Sequence, residues 1–421
     1  MSSLSKGSTG SSEKKHNVVI VGGGAAGISV ASSLRKRDRS LDIAVVEPES
    51  VHHYQPGWTM VGGGVFRPES TSKPMRTVMP KFVHWYQNTV ASVDPERNQV
   101  QLKDGSNLAY DALVLAPGLE LNWGAIDGLE ETIGKNGVTS NYRLGCAEYT
   151  WQLVQSLKGG RALFTQPPMP IKCAGAPQKA MYLSSDHWLR SGAIGNIDVQ
   201  FHNAGAVLFG VSDYVPALEE YIRRYNIGLN FQSNLVAVDG PAKKATFRVT
   251  DGEGNSWDRE VEFDMLHAVP PQRAPAFIRD SVLANDAGWL NLEDDTLRHR
   301  NYPNVFGLGD ASGTSNAKTA AAVRKQAPVV AENLVSTLHS KPMKAAYLGY
   351  GSCPLTVEKG RIVLAEFGYG GQLQPTFPRW INDGTRATRA AWFLKAKQLP
   401  ALYWYFMLKG LEWLAKPAAR G

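Results

Sequence analysis

The sequence predicts an α/β chain made of two Rossmann-like dinucleotide-binding folds followed by a C-terminal amphipathic helical segment. Three observations carry that prediction. An apolar run, Asn17 to Val21, closes on Gly22-Gly23-Gly24-Ala25-Ala26-Gly27 and a helical pattern reaching Leu34, and a second strand then ends at Glu47. A second strand opens at Ala162-Leu163-Phe164-Thr165, with its partner at Ile197 to Phe201. The chain ends in aromatic and basic residues at helical spacing, interrupted by Pro400.

Composition sets the outer bounds. The 421 residues are 43% hydrophobic and 20% charged, enough for two or three domains and too apolar for a disordered chain. The three cysteines, Cys146, Cys173 and Cys353, are too few for a disulfide scaffold or a four-thiolate zinc site. No metal-ligand spacing is present, and no apolar run reaches the ~20 residues that cross a bilayer. Most of the net charge of +7 sits from Arg379 onward, so no domain face is basic enough to predict nucleic-acid binding. The domains expected are a flexible tail over 1–16, a discontinuous first unit over 17–143 and 285–340, a second unit over 144–284, and a C-terminal segment over 341–421.

Each element of the first unit has a mechanical purpose. Gly22 permits a tight turn, Gly24 lets backbone approach a pyrophosphate, and Gly27 lets helix and strand pack closely. The phosphates would then meet free N–H groups beside Ala25 and Ala26 at a helix N-terminus. Glu47, twenty residues beyond Gly27, is placed to accept from a ribose hydroxyl. Two later strands choose among dinucleotides. One runs from Ala112 to Leu115 into Ala116-Pro117-Gly118. The other runs from Tyr302 to Asp310, whose carboxylate suits a polyol hydroxyl, and a helix is expected over Ala317 to Val330. The trio resembles the two-dinucleotide-fold flavoproteins, which implies FAD in the first fold.

The second unit is informative by what it lacks. Where a nicotinamide fold would place its glycine turn stands Gln166-Pro167-Pro168-Met169-Pro170-Ile171-Lys172-Cys173. Prolines donate no N–H, so a pyrophosphate has little to hold there. Cys173 has lysines at 172 and 179 and a helix expected after Pro177, an environment that favours a thiolate. Cys353 lies in the small-residue string Gly349-Tyr350-Gly351-Ser352-Cys353-Pro354. Nothing in their spacing shows that the two meet. Cys146 reads as an inert buried thiol, and His52-His53 as packing residues.

Glu47-Pro48 with His53-Tyr54-Gln55-Pro56-Gly57-Trp58, Ile171 to Lys179, Tyr302 to Asp310, Lys318-Thr319-Ala320-Ala321-Ala322-Val323 and Ser352-Cys353-Pro354-Leu355 form a set of segments. Together they resemble the sulfide:quinone oxidoreductases, in the branch that includes the animal mitochondrial enzyme. The resemblance implies that Cys173 and Cys353 are the redox pair, linked as a disulfide or through a bridging sulfur. Hydrogen sulfide would leave its sulfur on Cys353 as a persulfide, and Cys173 would deliver two electrons to the flavin. It further implies that Gly22, Gly24, Ala25, Ala26, Gly27, Glu47, Gln55, Val90, Ala116, Gly118, Asp310, Lys318 and Thr319 hold FAD. Lys318 is expected to serve as a charge partner for reduced flavin or quinone.

The partners implied are hydrogen sulfide, ubiquinone or another membrane quinone, and a small acceptor such as sulfide, glutathione or sulfite. A second copy of the chain is left open. Two tail helices are expected, Arg386 to Gln398 and a second beginning at Pro400, both suited to the headgroup layer. The enzyme is therefore expected on a membrane surface, the bacterial inner membrane first and the mitochondrial inner membrane as the alternative. Competing readings are a single-subunit NADH:quinone oxidoreductase, a cytochrome-linked sulfide dehydrogenase and a flavin-containing redox sensor.

Overall fold

The computed structural model describes residues 14–420. Of the expected tail, residues 1–13 lie outside the described residues. Lys14 to His16 already belong to the first strand, β1 (Lys14–Val21). Strand formation reaches back three residues beyond the apolar run because Lys14, Lys15 and His16 pair with Leu108, Ala109 and Tyr110.

β1 is followed by α1 (Ala25–Arg37) and β2 (Ile43–Val46). β1 lies parallel to β2 on one side and to β3 (Asn107–Leu115) on the other. Val18, Val19 and Ile20 are fully buried, because sheet neighbours and helices cover both faces. Residues 84–86 extend the sheet beyond β2, and an antiparallel pair, 99–102 and 90–94, extends it beyond β3. Val305–Gly307 then joins β3 in parallel, so a distant segment completes the first sheet. That strand is far shorter than the run from Tyr302 to Asp310 implies.

The second sheet is parallel throughout, in the order 138–139, 265–267, 160–166, 197–203 and 228–231. Val138–Thr139 lies before residue 144, so this sheet borrows a strand from the segment assigned to the first unit. Two residues carry no periodicity by which a sequence could announce them. β4 (Gly160–Gln166) leads through the proline-rich loop into α2 (Ala176–Ser191). An antiparallel layer, 233–239, 244–250 and 256–262, covers the sheet.

α3 (Ala320–Leu338) starts where the Thr319 hydroxyl accepts from the Ala322 N–H, three residues later than expected. It passes Pro328 and continues for ten residues more, with Ala327, Val329 and Val330 buried. Packing outweighs the lost hydrogen bond. β5 (Gly351–Glu358) and β6 (Arg361–Phe367) form an antiparallel hairpin in which Cys353 faces Ala365. Cys353, Leu355 and Val357 pack with Ala180 and Met181 of α2, so the C-terminal segment completes the second unit's core.

The tail departs from expectation. Instead of two helices parted at Pro400, residues 389–409 form one succession of α, π and 3₁₀ turns, and Pro400 falls inside it. Its short α piece, Leu399–Ala401, is flanked by wider π turns, so the missing N–H interrupts no long α ladder. Tyr403, Trp404, Met407 and Leu408 are buried in the core of the first unit, and the Ser32 hydroxyl donates to the Leu408 carbonyl at 2.8 Å. Phe393, Tyr405, Leu411 and Trp413 remain exposed. Among the described residues no helix is long and apolar enough to cross a membrane.

His52 ties the tail to the glycine turn. Its Nδ1 is 3.2 Å from the Gly23 carbonyl, which can only accept, so Nε2 accepts from the Tyr403 hydroxyl at 2.6 Å. Burial, which the bond to Gly23 only partly offsets, pushes His52 down to about 4. Burial likewise lowers His202 to about 3 and His267 to about 4. All three are neutral in the fold but protonate near 6.5 once unfolded, so acid favours the unfolded chain. Thermal stability should therefore fall as pH drops from about 6.5 towards 4. Each histidine contributes on the order of 1.4 kcal/mol per pH unit. Scanning calorimetry of the wild type against His267→Asn, which replaces one of the three, should show a shallower acid slope in the variant.

Candidate active site

The glycine turn is built for close approach. At Gly22 (φ +99°) a Cβ would sit 2.3 Å from the Ala116 carbonyl oxygen, and at Gly27 a Cβ would sit 1.8 Å from the Gly22 carbonyl oxygen. Neither position has room for any side chain. A Cβ at Gly24 would meet nothing within 4 Å, so its backbone and the N-terminus of α1 at Ala25 and Ala26 face open space. Gly118 likewise opens onto space, directly after the strand that supports Gly22. Glu47 receives the Gly23 N–H at 2.7 Å and the Glu49 N–H at 2.8 Å. Burial nevertheless holds its pKa above the ordinary carboxylate value. A steric cradle open to a pyrophosphate, with an acid at the end of β2, fits a dinucleotide such as a flavin.

The remaining predicted residues fall into two groups. Asp310 stands in the 3₁₀ turn 309–311, just after Val305–Gly307, and burial raises its carboxyl pKa. The Lys318 Nζ donates to the carbonyls of Asp310 at 2.8 Å and Ser312 at 2.5 Å and lies 4.0 Å above the Trp289 ring. Its amine is thus bound to protein carbonyls, and burial lowers it to about 8. Thr319 caps α3, and Gln55 accepts from the Lys172 Nζ at 2.7 Å. Val90 stands apart, packed in the core with Val19 and Val46.

The two cysteines meet. Cys173 Sγ lies 3.8 Å from Cys353 Sγ, although 180 positions separate them. Cys173 sits on the loop before α2, held by its own N–H to the Lys318 carbonyl at 2.8 Å. The buried Tyr142 hydroxyl reaches the carbonyls of Lys172 at 3.0 Å and Cys173 at 3.2 Å. Cys173 adopts a left-handed backbone (φ +48°), an uncommon conformation for this residue type that often marks functional loops. Cys353 comes from the buried hairpin strand β5. At Gly175 a Cβ would lie 2.9 Å from Cys353 Sγ and 2.4 Å from Leu355 Cδ2, so only glycine lets loop and hairpin touch.

The pair is electrostatically unequal. The Cys353 thiol donates to Cys173 and pulls its pKa well down; burial opposes this, and Lys179, whose Nζ donates at 2.9 Å, and Lys395 add to the pull. Cys353 moves the opposite way, raised by sharing its proton with Cys173 and by burial. Burial alone would lower Lys179, but the sulfur charge outweighs it and raises its pKa. Lys395 is buried and donates to the Pro56 carbonyl at 3.0 Å; burial and then Lys179 press it down to about 8. Cys146, at the start of helix Cys146–Ser156, has its pKa raised by burial and joins no such cluster.

Tyr142, Gly175 and Lys395 had no separate signal in the sequence. Lys395 in particular reads there as one more basic residue of the tail. Only the tertiary fold turns it inward while Phe393 points out.

A dinucleotide cradle on the first sheet, and a dithiol where the second sheet would hold a nicotinamide turn, mark a two-fold flavin-dependent oxidoreductase. Residues 16–149 match the family model described as pyridine nucleotide-disulphide oxidoreductase. The chain is 41% identical to the mitochondrial sulfide:quinone oxidoreductase of Dictyostelium discoideum, over 95% of this chain and 87% of that one. It is 36% identical to that of Mus musculus, over 97% and 89%. The crystal structure of the sulfide:quinone oxidoreductase from Aquifex aeolicus superimposes with a TM-score of 0.76 at 22% identity, covering 94% of this chain and 91% of that one. The chain belongs to the sulfide:quinone oxidoreductase family, and its substrates are sulfide and a quinone.

The asymmetry of the thiols is measurable without turnover. In reduced protein, Cys173 should be alkylated by iodoacetamide well below the ordinary thiol range, with Cys353 reacting later. Lys179→Met should move the pH midpoint for Cys173 upward by about one unit or more, read by mass spectrometry of the labelled peptide.

Proposed function

We propose that Cys173 and Cys353 form the oxidised link that sulfide opens, and that FAD is the flavin held by the glycine cradle. The single observation that carries this reading is the 3.8 Å approach of the two sulfurs beside Lys179. Hydrosulfide attacks Cys353, forming a new S–S bond as a persulfide while the Cys173–Cys353 bond breaks. Cys173 leaves as a thiolate, the better leaving group because its pKa is the lower of the two. Lys179 neutralises that charge where it forms. A small nucleophile, such as sulfide, glutathione or sulfite, then takes the outer sulfur and leaves Cys353 as a thiolate. When the link recloses, two electrons are lost, and a flavin bound beside Cys173 supplies the chemistry of accepting them and passing them to quinone.

Tyr142 and the Lys318 carbonyl hold the Cys173 loop in place through this cycle, and Gly175 keeps the hairpin within reach. Asp310, Gln55, Gly118 and Thr319 are the residues proposed to orient FAD. Quinone is dissolved in lipid, so the exposed tail is proposed as the docking face. Trp380 is 84% exposed, Tyr405 62% and Phe393 56%, with Lys397 and Lys409 nearby in sequence. Aromatic rings beside ammonium groups suit an anionic headgroup layer. The mitochondrial names of the Dictyostelium and mouse relatives favour the mitochondrial inner membrane over the bacterial one.

Cys173→Ser and Cys353→Ser should each retain bound flavin and lose its bleaching by sulfide under anaerobic conditions. Normal bleaching in either variant removes that residue from the chemistry. Because Tyr403, Trp404 and Lys395 are built into the core, deleting the tail would damage the fold. The docking test is therefore the triple replacement of Trp380, Phe393 and Tyr405 by Ser. It should keep sulfide bleaching and reduce co-sedimentation with cardiolipin-containing vesicles several-fold; undiminished sedimentation sinks the docking assignment.

A further inference from the structure

At the opposite end of the first sheet's strands from the glycine turn, three side chains on neighbouring strands converge without any part in the sulfur chemistry. His16 belongs to β1, Asp42 immediately precedes β2, and His84 opens the edge strand 84–86. Asp42 lies between the imidazoles: one carboxylate oxygen is 2.8 Å from His16 Nδ1 and the other 3.0 Å from His84 Nε2. One nitrogen from each ring and a carboxylate oxygen all fall within 4.8 Å of one another.

We propose that His16, Asp42 and His84 form a binding site for zinc or a similar borderline divalent cation, held by His16 Nδ1, His84 Nε2 and an Asp42 oxygen. Four features support it. Imidazole and carboxylate are the donor set that such ions prefer, and three protein ligands with one open position is a familiar coordination. Tetrahedral ligation puts neighbouring donor atoms ~3.3 Å apart, so the cluster needs only small movements, which His84, 62% exposed, is free to make. His16 is almost fully buried, and its second nitrogen is 2.8 Å from the Tyr86 hydroxyl. With the ion on Nδ1, Nε2 carries the proton and donates to Tyr86, the outer-sphere bond that fixes a ligating histidine's tautomer. Finally, neither lysine of β1 pairs with Asp42: Lys15 is held by Asp111 at 2.7 Å, and Lys14 lies 5.6 Å over the Tyr86 ring. The ion would staple the edge strand to β1 and β2, stabilising the sheet that carries the cradle from its far side.

The cysteine pair is the other thiophilic site, so the test uses flavin-loaded Cys173→Ser/Cys353→Ser protein, dialysed against chelator and titrated with Zn²⁺ by calorimetry. One equivalent should bind at micromolar or lower concentration, and zinc should raise the melting temperature. In the same background His84→Ala, at an exposed position, and Asp42→Asn should each weaken binding at least tenfold and abolish the zinc-dependent rise. Absence of saturable binding, or equal affinity in His84→Ala, would overturn the proposal and leave the cluster as a hydrogen-bonded trio.

Discussion

The site depends on one constraint: an ammonium group buried away from water must find a negative charge or lose its proton. Lys179 and Lys395 are both buried within electrostatic range of the cysteine pair. Among the described residues no carboxylate forms an ion pair with either, and Lys179 is satisfied by Cys173 Sγ at 2.9 Å. The fold therefore favours a sulfur anion at Cys173 whenever the two cysteines are reduced. Desolvation makes the arrangement effective, since the same pair in water would interact through a far higher dielectric. The low pKa of Cys173 and the high pKa of Cys353 are two sides of this one bias, because the pair shares its last proton.

That bias gives the chemistry a direction. A link between the two cysteines can be opened at either sulfur, and the sulfur that leaves more readily is the one whose thiolate is better stabilised. Stabilisation falls on Cys173, so in the proposed cycle the incoming sulfur is left on Cys353, buried in the hairpin. Gly175 serves the same end sterically, since a Cβ there would crowd Cys353 Sγ at 2.9 Å. Position and charge agree on which cysteine does which task.

The first unit was legible because local rules determine it. The run ending at Val21, the glycines at 22, 24 and 27 and the acid at 47 each report a nearby backbone need, and the strand–turn–helix is where they place it. The shortest elements were legible poorly or not at all: Val138–Thr139 is a strand only because the sheet reaches it, and of the run from Tyr302 to Asp310 only Val305–Gly307 pairs. The approach of Cys173 to Cys353 is a long-range fact that no spacing encodes; it entered through likeness to a family. Pro400 misled, whereas the helix expected across Pro328 did form. Proline's cost is local, whereas Tyr403 and Trp404 are buried by contacts from distant segments that outweigh it. Lys395 was missed because a lysine among basic neighbours looks solvated until the fold buries it.

The tail is where these strands of argument join. Phe393 and Tyr405 face outward from the same winding segment that sends Lys395 to the cysteines and Tyr403 to His52. A regular α-helix returns to one face every three or four residues, so its inner and outer rows stay fixed. The π turns at 394–398 and 402–406 widen that period and shift the register between rows. The inward residues thereby reach two targets, the thiol pair and, through His52, the glycine turn. The surface that presents Phe393 and Tyr405 is thus mechanically continuous with a lysine near the cysteine pair and a hydrogen bond beneath the cradle. Detaching the tail could not leave the sulfur centre unchanged, because its removal would take Lys395 from the cysteines and leave His52 buried without the Tyr403 hydroxyl.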